Sequence, residues 1–147
     1  MKKVVISIKG LQNLDNEESD EIELVTDGEF LAEDGKFVFS YLESELTGLE
    51  GTRTTFTVEG DRVILTREGT VTSQMVFEER QKNYFVYRTP FGAFTMGVDT
   101  YCITSRLHED GGDLEIYYFI DMENAQLTKN SFIIHIAPAD GGKINNQ

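Results

Sequence analysis

Apolar and polar residues alternate with period two along most of the chain, and turn residues recur every ten or so positions, the pattern of antiparallel strands joined by hairpins. Ten strands are predicted. The first, Lys3 to Lys9, sets Val4, Ile6 and Ile8 on one face against Val5, Ser7 and Lys9 on the other. A polar segment, Asn13 to Asp20, follows with four acids and no apolar run, and reads as a mobile loop. Glu21 to Leu31 alternates Ile22, Leu24 and Thr26 with acids, and Gly28 within it predicts a bulge or bend. After the turn at Glu33-Asp34-Gly35-Lys36 comes Lys36 to Ser44, with Phe37, Phe39, Tyr41 and Glu43 on one face. Thr52 to Glu59 and Arg62 to Arg67 form a hairpin, the latter setting Val63, Leu65 and Arg67 together. Thr72 to Glu79, Asn83 to Thr89 and Ala93 to Leu107 are the next three. Leu114 to Met122 and Leu127 to Ile136 complete the set around a Glu123-Asn124 turn, after a mobile-looking Glu109 to Asp113 connection.

No stretch repeats apolar residues at i, i+3, i+4, i+7 for the length of a convincing helix. Tyr41 to Glu50 comes nearest, and its glycines favour a single turn or a loop. Hairpin-linked strands leave exposed edges unless the sheet closes, so an all-β, closed antiparallel barrel of about 8–10 strands is predicted, with a sandwich as the alternative. Such a barrel holds either a packed core or one small ligand. A single domain over residues 1–137 is expected, and residues 138–147, with Pro138 and two glycines, read as a flexible tail.

Composition narrows the partners. The chain of 147 residues has 26 acids and 13 bases, a net charge of −13, which repels nucleic-acid phosphates and anionic lipid surfaces. No basic patch offsets it, so neither nucleic acid nor membrane is expected as a partner. No segment approaches the roughly 20 apolar residues of a membrane-spanning helix. Cys102 is the single cysteine, leaving no intrachain disulfide, and a reducing cytoplasm is the expected compartment. The acids Glu21, Glu23, Asp27, Glu29, Glu59, Glu78 and Glu115 are read as a solvated exterior.

Candidate chemistry comes from charges and hydroxyls on apolar stripes. Glu43 ends the stripe Phe37, Phe39, Tyr41, and Arg67 ends the stripe Val63, Leu65. A buried charge needs a partner. The two either pair with each other, reach water at the strand end, or receive a ligand, with arginine offering its planar fork to a carboxylate or phosphate. In the aromatic segment Tyr84 to Gly92, Phe85, Tyr87 and Thr89 share a face; Tyr87 with Tyr41, Thr54 and Thr100 either lines a polar interior or is ordinary core. Arg67, Glu43, Tyr87, Tyr41 and Thr89 are the candidate ligand-binding residues. Glu43 and Glu45, at i and i+2, make a carboxylate pair only if the strand runs through both.

Other chemistry finds little support. His108 and His135 lie far apart and Cys102 has no metal-ligand spacing to either, so no metal is expected. Cys102 alternates with Val98 and Thr100 and reads as a small buried hydrophobe. There is no phosphate-binding glycine loop and no nucleophile elbow. Neither catalytic residues nor a cofactor are expected.

Several blocks carry a resemblance: Ile8-Lys9-Gly10-Leu11-Gln12, Ile22 to Gly28, Tyr41-Leu42-Glu43-Ser44-Glu45, Thr54 to Val58, Leu65-Thr66-Arg67-Glu68-Gly69 and Tyr87 to Gly92. In this order and spacing they are similar to the YwiB-like family of uncharacterised bacterial proteins. The family pattern often has a tyrosine at the place of Phe91, so a hydroxyl is absent here. The resemblance implies a small calycin-like, lipocalin-like β-barrel, and brings no activity, cofactor or catalytic residue with it. The leading expectation is non-enzymatic binding of a small amphipathic or anionic ligand inside the barrel. A protein-interaction or homodimeric module with a filled core is the alternative, and an enzyme using the Glu43 and Arg67 region comes third.

Overall fold

The computed structural model describes residues 1–14, 20–122 and 126–139. Ten strands occupy these residues: β1 (Lys2–Leu14), β2 (Asp20–Glu33), β3 (Lys36–Leu42), β4 (Arg53–Glu59), β5 (Arg62–Glu68), β6 (Ser73–Glu78), β7 (Gln81–Thr89), β8 (Gly92–His108), β9 (Gly111–Met122) and β10 (Gln126–Pro138). One 3₁₀ turn, Glu45–Thr47, interrupts them, where a turn or loop is predicted. All ten belong to one antiparallel sheet in the order β6-β5-β4-β3-β2-β1-β10-β9-β8-β7. The sheet curls until its end strands meet through a single bridge, in which Thr72 and Arg88 exchange backbone hydrogen bonds of 3.0 and 2.9 Å. The barrel is nearly closed, and the β6–β7 seam is its one unladdered junction among the described strands.

The seam originates at the β6–β7 corner. At the two-residue turn between β6 and β7 Arg80 takes a positive φ of 64° and donates its amide to Thr100 on β8 at 2.7 Å, and the first residues of β7 ladder with β8 and not with β6. A side chain partly substitutes for the missing ladder: Asn83 Nδ2 donates to the Val76 carbonyl at 3.1 Å.

Register converts strand alternation into layers. On the inner face of β3 to β6 the cross-strand rows are Phe37–Val58–Val63–Phe77, then Phe39–Phe56–Leu65–Met75, then Tyr41–Thr54–Arg67–Ser73. The first two rows are apolar and belong to the core, with Phe37 packed against its edge. Phe39 and Phe56 stack at 5.0 Å, and Phe132 meets Phe56 edge-on at 5.6 Å. Val4, Ile6 and Ile8 on β1, with Ile134 and Ile136 on β10, close the core from the other wall. Burying each large side chain contributes about 1.5–3 kcal/mol before entropy is counted. The third row is polar.

Four expectations are revised. Gly28 carries no bulge, because β1 and β2 pair without a register shift through Val4↔Gly28. It instead permits close approach: a Cβ there would lie 2.6 Å from the Ser40 carbonyl oxygen and 2.4 Å from Ile6 Cδ1. The Glu109 to Asp113 connection shrinks to a turn at Glu109 and Asp110, and Gly111 and Gly112 are buried in β9. Both adopt φ above +110°, which side-chain-bearing residues avoid. Cys102 is not on the Val98 and Thr100 face. A bulge between Thr100 and Cys102 inverts the alternation, so Cys102 stands opposite Tyr117 while Ile103 turns inward opposite Ile116. Finally, β3 stops at Leu42, so Glu43 is buried while Glu45 opens the 3₁₀ turn exposed, and the two make no carboxylate pair. The Glu123-Asn124 turn lies outside the described residues, as do 15–19 of the expected loop and 140–147 of the expected tail; β10 itself runs to Pro138.

Candidate functional site

The polar row is built by strand ends. Each inward stripe runs through two apolar residues and then meets a polar one: Tyr41 after Phe37 and Phe39, Thr54 before Phe56 and Val58, Arg67 after Val63 and Leu65, Ser73 before Met75 and Phe77. Alternation of side chains fixes these four on the barrel's inner face. The register then places them side by side across four strands.

Glu43, just past the end of β3, is only 7% exposed. Its amide donates to the Thr52 carbonyl at 2.8 Å, which anchors the residue to the start of β4. Its carboxylate accepts from the Thr54 hydroxyl at 2.5 Å and from the Thr47 hydroxyl at 2.9 Å. Beside it, burial, then the negative charge of Glu43, push the Tyr41 phenol well above the usual tyrosine range, against the opposing pull of Arg67. Hydroxyls thus solvate Glu43 in the manner of water.

Arg67 is treated differently. It makes no ion pair with Glu43, and its Nε is buried without a hydrogen-bond partner among the described residues. The expected charge pair is therefore a shared electrostatic neighbourhood rather than a contact. Across the barrel Tyr118 is buried; desolvation raises its phenol, and the positive charge of Arg67 opposes that rise. Thr100 is the cross-strand neighbour of Tyr118. The Thr100 and Ser73 hydroxyls are also buried and unpartnered; Ser73 stands beside Arg67 in the row, whereas Thr100 lies by Tyr118 and the Arg80 corner. Each such group costs about 1–3 kcal/mol when nothing bonds it.

Arg67 and Ser73 line a cleft of about 320 Å³ beside the seam, together with Thr72, Gln74, Val86 and Arg88. A larger cleft, about 500 Å³, opens where β2 and β3 part below the Glu29↔Ser40 pair. There Arg53 already donates to the Ser40 hydroxyl at 3.2 Å, and none of the orphaned atoms lies among its lining residues.

The remaining sequence candidates are placed as follows. Tyr87 is half-buried on the inner face of β7 against the edge of the core. Thr89 uses its hydroxyl in the β7–β8 turn, donating to Gly92 O at 3.1 Å and accepting from the Phe91 amide at 3.0 Å. The register brings Tyr41, Thr54 and Arg67 together and does not bring Thr89 into that row. Ser73 and Tyr118 were missed in the sequence reading, although both carry the same signal, a polar group continuing an inward apolar stripe. His135 bonds Asp113 at 2.8 Å on the surface, and no cluster of three metal-ligating side chains exists among the described residues. No described helix is long and apolar enough to cross a membrane.

Comparison with known proteins places this geometry in context. Residues 6–134 match a family described as a domain of unknown function, DUF1934. The fold is similar to the crystal structure of the ywiB protein from Bacillus subtilis, with a TM-score of 0.73, 22% identity and 91% of each chain covered. No curated protein sequence matches the chain.

Proposed function

Because the chain belongs to the DUF1934 family, whose function is unknown, we propose from its own side chains that it binds a small anionic or amphipathic ligand, with Arg67 as the anchor. The observation supporting this reading is the buried Arg67 Nε without a partner. A buried donor left unbonded costs about 1–3 kcal/mol, and Glu43, the nearby carboxylate, is already held by Thr47 and Thr54. A ligand oxyanion satisfies the guanidinium and the neighbouring hydroxyls together. Glu43 and Tyr41 position the row and keep its charge near neutral. Tyr87 offers an apolar wall, and Thr89, engaged in its turn, plays no part in contact.

The test is native mass spectrometry of protein purified gently from its own host. A stoichiometric small-molecule adduct that is lost in Arg67→Met, with the fold intact by circular dichroism, supports the reading. An adduct that persists in that variant removes Arg67 from the site.

A second reading rests on the tip of the β7–β8 hairpin. Phe91 at the turn is 93% exposed, and Tyr84, Val86 and Phe94 along the two strands are exposed as well. Exposed aromatic residues gathered on one hairpin are a feature of protein-binding surfaces. In this reading the chain is an interaction module or a homodimer. Sedimentation equilibrium with Phe91→Ser tests self-association: a dimer that dissociates in the variant supports it, and a monomer at all concentrations rejects a homodimer.

A further inference from the structure

We infer that the β6–β7 seam is the mouth of the Arg67 site and that the ligand is a small monocarboxylate; the inference rests on the binding reading above and names its access route and chemical class. Two independent features converge at the seam. Backbone pairing there is confined to the Thr72–Arg88 bridge, whereas neighbouring junctions carry continuous ladders. The cleft beside it is lined both by exposed residues, Gln74 and Arg88, and by Arg67 and Ser73 of the buried row. Ser73 is 95% buried by its 5% exposure, and its hydroxyl has no partner. The cleft thus ends at residues whose own donors, Arg67 Nε and Ser73 Oγ, are still covered, and parting of the seam is the step that exposes them.

Charge selects the class. Arg67 and Arg88 are offset by Glu43 near the row and Glu68 on the cleft wall, and the whole chain carries −13. One additional negative charge is accommodated by an arginine whose Nε is unbonded and by a free hydroxyl. A phosphate dianion brings a second charge against a strongly acidic protein. A carboxylate, planar and singly charged, matches the guanidinium fork. A volume of about 320 Å³ admits a short-chain acid, with Val86 on the wall for its carbon chain.

The seam can be locked. Thr72 and Arg88 form a hydrogen-bonded antiparallel pair, whose Cα atoms stand about 5.5 Å apart, within the reach of a disulfide. The variant Thr72→Cys/Arg88→Cys in a Cys102→Ser background is titrated with butyrate and with inorganic phosphate, followed by amide chemical shifts, in oxidised and reduced forms. Wild type is expected to show saturable shifts at Arg67 and Ser73 with butyrate, weaker ones with phosphate. Ser73→Ala is expected to weaken butyrate by about tenfold, the loss of one charge-assisted hydrogen bond. Oxidation of the double cysteine is expected to slow or abolish exchange, and reduction to restore it.

Absence of saturable shifts in wild type with either anion overturns the binding reading and this inference with it. Undiminished exchange in the oxidised form overturns the mouth and leaves the binding reading standing. Phosphate binding tighter than butyrate overturns the carboxylate class, and unchanged affinity in Ser73→Ala overturns the Ser73 contact. The reduced form of the same variant reports whether the substitutions themselves disturb the fold.

Discussion

Thr54 donates its hydroxyl to Glu43 at 2.5 Å, while its cross-strand neighbour Arg67 leaves Nε unbonded. The carboxylate of the row is structurally satisfied and the cation is not. This asymmetry separates the parts of the row that hold the fold from the part available to a ligand, and it makes the energetic couplings within the row measurable.

Thr54→Val removes the donor and leaves a buried carboxylate short of a hydrogen bond, so it is expected to destabilise by about 1.5–3 kcal/mol. A double-mutant cycle in urea with Glu43→Gln should give a coupling of at least about 0.5 kcal/mol. The cycle pairing Glu43→Gln with Arg67→Met should give a smaller coupling, because no direct contact joins those two side chains. Equal couplings in the two cycles would contradict this arrangement.

Thr100→Val replaces a buried hydroxyl that has no partner by a methyl of similar shape. In ligand-free protein the change is expected to be neutral or stabilising by up to about 1 kcal/mol, since an unsatisfied buried donor is removed. A denaturant midpoint that falls markedly would mean that the hydroxyl is bonded in solution.

Gly28→Ala is expected to lower stability by about 1–3 kcal/mol, since the added Cβ meets a backbone carbonyl at 2.6 Å as well as the Ile6 side chain, and overpacking against backbone is poorly relieved. Gly10→Ala is the control, with nothing within 4 Å of its Cβ and a smaller expected change. Comparable midpoints for the two variants would refute the close approach of β2 to β3.

Burial raises both Tyr41 and Tyr118 above the ordinary phenol pKa of 10.0. A group whose folded pKa is raised stabilises fully below its unfolded pKa and loses that contribution as pH climbs toward its folded value. Stability should therefore decline above about pH 10. Absorbance titration near 295 nm should show these two phenols ionising late, together with loss of structure. Early, reversible ionisation of all six tyrosines would contradict their burial.

Period-two alternation determined most of this fold. It placed nine of the ten strands within three residues of both ends and ended β1 five residues early, at Lys9 instead of Leu14; it assigned Phe37, Phe39, Val63 and Leu65 to the interior, and marked Tyr41, Glu43 and Arg67 as polar residues continuing apolar stripes, because in a strand the direction of a side chain follows from position alone. Alternation is local, however, and three features depended on contacts between strands. The bulge at Thr100 inserts a residue into one strand only, so it became visible through pairing with Tyr117 and Tyr118 and reversed the face of Cys102. The seam arose where Arg80 bonded to β8, a long-range choice unmarked in the β6 and β7 sequences. The partners of Glu43 were likewise decided by register and the 3₁₀ turn, which delivered two threonine hydroxyls to the carboxylate and left the guanidinium of Arg67 without one. Residue order determined which side chains face inward; closure of the sheet decided which of them meet.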